Sequence, residues 1–155
     1  MSESGIAGVV GRCRVEQFGM VLDSVHISTS IERAAHDVYT FASNPRNLPA
    51  WANGLAHREV EFVDGVWLVD SPMGRVTVAF APLNQFGILD HEVTLPSGEV
   101  VANPMRVIPN GDGCDVVFTV RRRAGVDDAE FSSDTDAVAA DLAALRNLMQ
   151  GGMRP

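Results

Sequence analysis

The sequence predicts an α+β fold: a curved antiparallel sheet of six or seven strands wrapped around one long C-terminal helix, with two short helices after the first strand. Three observations predict it. A β-branched run at 21–30 gives way at once to helical spacing. Residues 57 to 122 then keep a period of two, broken by turn signals. Finally, Phe131, Val138, Leu142, Leu145 and Met149 fall seven, four, three and four positions apart, an apolar stripe on a single helix. A sheet this large with one long helix to cover it must curl around that helix, and any space left unfilled becomes an apolar cavity.

The elements follow in order. VLDSVHISTS (21–30) reads as a strand, and IERAAHDVYTFA (31–42) as a helix that Ser30 can cap. Pro45 stops it, because the residue before a proline is driven out of the helical region. Leu48, Trp51, Ala52 and Leu55 predict a second short helix closed by Gly54. HREVEFV (57–63) and VWLVDS (66–71) form a hairpin through Asp64-Gly65. MGRVTVAFA (73–81) alternates, and GILDHEVTL (87–95) meets EVVANPMRVI (99–108) through Pro96-Ser97-Gly98. Pro104 predicts an edge or a bulge in the latter. CDVVFTVRR (114–122) is the last strand. Acidic residues from Asp127 to Asp136 suit the positive end of the final helix, which Gly151 and Gly152 end.

Composition narrows the function. The 155 residues suffice for one domain, over 21–151, with residues 1–20 expected as a flexible leader and 152–155 as a tail. Twenty acidic residues against 12 basic ones, a net charge of −8, argue against nucleic acid as a partner. No apolar run reaches the length of a membrane span, so no membrane insertion is expected. All basic residues are arginine, which removes lysine Schiff-base chemistry. Cys13 and Cys114 form no metal or redox motif and fit a reducing, cytoplasmic setting. His26, His36, His57 and His91 show no metal-ligand spacing, and no nucleotide-binding or nucleophile-elbow pattern is present. No metal or cofactor is therefore expected. A homodimer is compatible with the sequence.

Three stretches resemble one group of proteins. VHISTSIERAAHDVYTFASNPRNLPAWANGL is similar to the opening of the helix-grip (SRPBCC) superfamily, which includes START lipid-transfer domains, plant pollen-allergen proteins and bacterial polyketide cyclases. GILDHEVTLPSGEVVANPMRVIPNGDG and DTDAVAADLAALRNLM resemble its polyketide cyclase/dehydrase-like branch. The likeness spans about residues 21–150. It implies a cavity between sheet and helix, with Trp51 as a gate or a plain lid. Because the superfamily includes carriers, enzymes and co-chaperones, fold alone does not assign an activity.

The residues suggest where a ligand would sit. In Asp90-His91-Glu92, strand alternation places His91 with Leu89 and Val93, facing the concavity. A three-residue turn puts Asn103 opposite it. His91 is the one candidate for acid–base chemistry, and the plainer alternative is a core histidine bonded to Asn103 or to a backbone carbonyl. Arg106 is expected to pair with Asp90 or Glu92 on the convex face, and Arg121-Arg122-Arg123 with the acidic start of the last helix. The expected ligand-binding set is Trp51, Trp67, Phe80, His91, Asn103, Met105, Phe118, Val138, Leu142 and Leu145, with Phe86 close by. The leading reading is a binder of a small hydrophobic molecule. A cyclase or dehydratase using His91 and a co-chaperone-type interaction module are the alternatives.

Overall fold

A computed structural model of the chain describes residues 21–151. The expected leader, with Cys13, and the tail lie outside the described residues. Strand β1 (Ser24–Ile31) leads into helix α1 (Ala35–Ala42), a single 3-10 turn (Pro45–Asn47) and the short helix α2 (Leu48–Trp51). Seven further strands follow: β2 (Glu61–Val63), β3 (Val66–Ser71), β4 (Gly74–Phe80), β5 (His91–Thr94), β6 (Val100–Asn103), β7 (Met105–Asn110) and β8 (Gly113–Arg121). Helix α3 (Asp128–Gly151) closes the chain.

The strands form one bent wall. Antiparallel pairs run β2-β3-β4-β5-β6 and β1-β8-β7. The two groups join because β6 and β7 are a single strand broken at Pro104, which has no N–H to give a ladder. Beyond the break, the segment before β5 continues the pairing: Leu89 donates to Met105 O at 2.9 Å, and Val107 donates to Gly87 O at 2.9 Å. Pro104 therefore lies at an interior bend, with its own carbonyl accepting from Thr119 N–H at 2.9 Å. It is not at an edge.

Helix α3 lies against the concave side. Leu142, Leu145 and Met149 are buried, while Phe131 and Val138 are partly so. Both ends are tied down. Asp127 accepts from Glu130 N–H at 2.8 Å and caps the N-terminus. Arg33 donates to Met149 O at 3.1 Å, placing a cation on the negative end. Among the described residues no helix is long and apolar enough to cross a membrane.

Some local expectations are corrected. Ser30 does not cap α1; it stays in β1 and donates to Asp115 across the sheet at 2.6 Å. The helix starts four residues later than its apolar spacing suggested, because Ile31 still pairs with Cys114 in the sheet. Gly54 does not close α2, whose last turn ends on Ala52 N–H donating to Leu48 O. The strand expected at 57–63 is ordered as a strand only over Glu61–Val63.

Candidate functional site

The register sets the site. His91 lies directly opposite Phe80 on one side and Asn103 on the other. All three therefore share the concave face of the wall. Phe118, from β8, approaches from beyond the bend. The His91 ring sits 4.9 Å from that of Phe80 and 5.6 Å, edge-on, from that of Phe118.

Between this face and helices α2 and α3 lies a cavity of about 160 Å³. Trp51, His91, Asn103, Phe118, Val138 and Leu142 all line it. The rest of the expected set lies elsewhere. Met105 and Leu145 are fully buried in the core behind the cavity wall. Trp67 and Phe80 line a separate, wider hollow of about 820 Å³ between α1 and strands β3 and β4. There the Arg46 guanidinium lies 5.2 Å over the Trp67 ring. Phe86 is 81% exposed on the loop before β5, away from both. Trp51 is only 3% exposed and lines the cavity.

His91 is almost wholly buried, and its Nδ1 lies 3.0 Å from Leu89 O. A carbonyl only accepts, so Nδ1 carries the hydrogen. Burial pushes the imidazole pKa down, against the smaller upward pulls of the Leu89 bond and the Asp90 charge. The plainer alternative for this residue, a backbone-bonded histidine, is thus what the geometry gives, but with the ring on the cavity wall. Asn103 makes only a long contact, to Val101 O at 3.4 Å. The indole Nε1–H of Trp51 is buried and meets no acceptor among the described residues.

The expected ion pairs form in part. Arg106 pairs with Asp90, whose carboxylate also accepts from Met105 N–H at 2.9 Å. Of the arginine run, Arg122 pairs with Asp128 at the start of α3 at 2.6 Å, while Arg123 pairs not with that helix but with Glu99, just before β6, at 3.1 Å. Such exposed pairs contribute little to stability, about 0–1 kcal/mol each. Arg121, Arg123, Asp134 and Asp141 also line the cavity.

Asp141 is the site residue that the sequence reading missed. Gly54 N–H donates to both of its carboxylate oxygens, at 3.2 and 3.3 Å. A Cβ on Gly54 would come within 3.0 Å of Asp141 Oδ2, which shows how closely the two elements approach. Burial pushes the carboxyl pKa up to about 6, with the backbone N–H groups of Gly54 and Asn53 pulling the other way. The signal was available: Asp141 lies three residues after Val138 and four before Leu145, inside the apolar stripe.

These two groups titrate with opposite signs. Asp141 binds a proton in the folded state between about pH 4 and 6, where the unfolded chain does not. Its favourable contribution is full below that window and is lost as pH rises through it. His91 resists protonation when folded, so its stabilisation is present above the ordinary histidine pKa and is lost as pH falls below it. Asp141→Asn keeps an acceptor for Gly54 and removes only the charge. It should gain about 1 kcal/mol at pH 8, a figure reduced for partial solvation, and nothing near pH 4. Urea melts across that range check this, and an offset independent of pH would contradict it.

A bent antiparallel wall gripping a C-terminal helix, with a cavity between, is the helix-grip architecture of START-like proteins. Solved structures bear this out. A START superfamily protein from Mycobacterium smegmatis matches with a TM-score of 0.62 and 11% identity, over 84% of this chain and 99% of that one. The protein XoxI from Bacillus cereus gives 0.69 and 13%, over 86% and 100%. Truncated norcoclaurine synthase from Thalictrum flavum gives 0.59 and 17%, over 83% and 93%. At these identities the likeness is one of fold. No protein-family model and no curated protein sequence matches the chain.

Proposed function

We propose that the protein binds a small hydrophobic molecule in the cavity between the curved sheet and α3. The observation that carries this reading is a mostly apolar cavity between the sheet and α3, with the His91 ring on its wall. Val93, Val101, Phe118, Val138 and Leu142 supply the apolar surround. A START superfamily protein among the structures of like fold is in keeping with this reading.

The enzyme reading draws on norcoclaurine synthase being another such structure, and on Asp141 sharing the cavity with His91. It is the weaker of the two. A proton relay needs a second titratable group within hydrogen-bond reach, and among the described residues His91 bonds only to the Leu89 carbonyl. His91→Ala separates them: it abolishes turnover by a catalyst but leaves a carrier able to bind with altered affinity.

The test of binding is native mass spectrometry of the chain purified from its own host. Wild type should carry an additional apolar mass. Val138→Phe, which adds a ring to a partly buried cavity wall, should fold and lose that mass. A bare wild-type chain in every preparation would overturn the proposal.

A further inference from the structure

Strand β1 is an edge of the wall. It pairs with β8 on one side and packs on α3, and among the described residues no strand meets its other side. Two bonds fix which backbone groups lie on that free side. Thr119 N–H donates to Pro104 O, toward β7, and Arg122 N–H donates to Asp23 O, toward β1. Backbone groups alternate in direction along a strand, so Phe118 and Val120 face β1, where they oppose Ile27 and Val25. The N–H and C=O groups of Ser24, His26, Ser28 and Ser30 therefore point away from the sheet. None of them has a partner among the described residues.

A free edge invites pairing, and proteins ordinarily blunt it by short length, proline, a bulge or charge. The far edge of this wall is blunted: β2 has three residues, one of them Glu61, which pairs with Arg75. Strand β1 carries none of these devices. SVHISTSI is eight residues long, keeps unbroken register with β8, and contains no proline and no charged side chain of Asp, Glu, Lys or Arg. Apolar surface gathers at the same edge. Val25 is 39% exposed, and Val21 and Leu22, just before the strand, are exposed as well.

This edge is its own complement. Laid antiparallel about a two-fold axis at Ile27, Ser24 meets Ser30 of a second copy and His26 meets its Ser28, so all four residues exchange N–H and C=O across the seam. The same register sets Val25 against Thr29 and Ile27 against Ile27 on the concave side, β-branched pairs that suit a sheet. On the convex side only hydroxyls and imidazoles meet. A chain of net charge −8 can join its own copy here without setting like charges face to face.

We propose that two copies of the chain pair through β1, antiparallel, so that the wall runs unbroken from one copy into the other. The pairing is independent of what the cavity binds.

Sedimentation velocity of the full chain over roughly 1–200 µM should show a species of twice the chain's mass that grows with concentration. Ser28→Pro removes an N–H that points outward and leaves the ladder to β8 intact. It should weaken association at least about tenfold. The His26 and Ser30 amides should exchange at least about tenfold more slowly in the wild-type dimer than in that variant. If Ser28→Pro fails to fold, His26→Lys combined with Ser28→Lys sets like charges directly opposite each other across the seam, on exposed side chains, and should give a monomer. Val63→Lys, on the far edge, should leave the dimer unchanged. A wild type that stays monomeric throughout overturns the proposal, and so does a dimer that survives the β1 variants or dissolves only in Val63→Lys. A monomer whose His26 and Ser30 amides nonetheless exchange slowly would assign the edge to residues 1–20 and overturn it too.

Discussion

Gly87→Ala is expected to cost about 3 kcal/mol or more, enough to unfold much of the population of a marginally stable domain. Two independent effects add. Gly87 has φ +72°, a left-handed conformation that side-chain-bearing residues adopt at a cost. A Cβ at this position would also meet the Val107 carbonyl oxygen at 2.1 Å. That carbonyl belongs to β7, and Gly87 O accepts from Val107 N–H in the same contact. Relief of the clash therefore means parting the strands at the seam where the two halves of the wall join. The matched control is Gly65→Ala, at φ +79° with nothing near its Cβ, which carries the conformational cost alone. Chemical denaturation of the two variants should separate them by about 1–3 kcal/mol. Equal losses would show that backbone strain, and not the close approach of the strands, makes glycine necessary at Gly87.

Much of the fold was legible because it depends on period and order. The pairing of His91 with Asn103 followed from alternation plus a three-residue turn, and both are local quantities. The stripe on α3 likewise named its buried residues. What was not legible depends on packing. Met105 shares the concave face with Asn103 and lies opposite Phe118 in the register, yet it packs into the core and not onto the cavity. Trp67 and Phe80 face the same side as His91, yet α1 and the 3-10 turn partition that side into two hollows. No one-dimensional pattern contains that partition. The missing acceptor at Trp51 is a three-dimensional fact of the same kind. Asp141 differs, since its place in the apolar stripe could be read, and a carboxylate there needed donors from another element to remain buried.

The stability of the whole grip should hang on Leu145. This residue is fully buried where α3 crosses the wall, behind the cavity and not on it. Leu145→Ala removes three buried carbon atoms at a site that rigid strands on one side cannot collapse to fill. The expected loss is about 2–5 kcal/mol, toward the upper end if the space stays open. Leu148, one turn position away on the same helix and 42% exposed, should tolerate alanine within about 0.5 kcal/mol. Because alanine is the better helix former, neither loss can be ascribed to helix propensity. Urea unfolding followed both by tryptophan fluorescence and by far-ultraviolet circular dichroism gives the test. Trp51 reports the helix side of the cavity and Trp67 the outer hollow, while circular dichroism reports α3 itself. Coincident transitions shifted together in Leu145→Ala mean that wall and helix stand as one cooperative unit. If the helix signal melts first and the sheet persists, the wall holds its curvature without the helix it grips, and the cavity owes its shape to the bend at Pro104 alone.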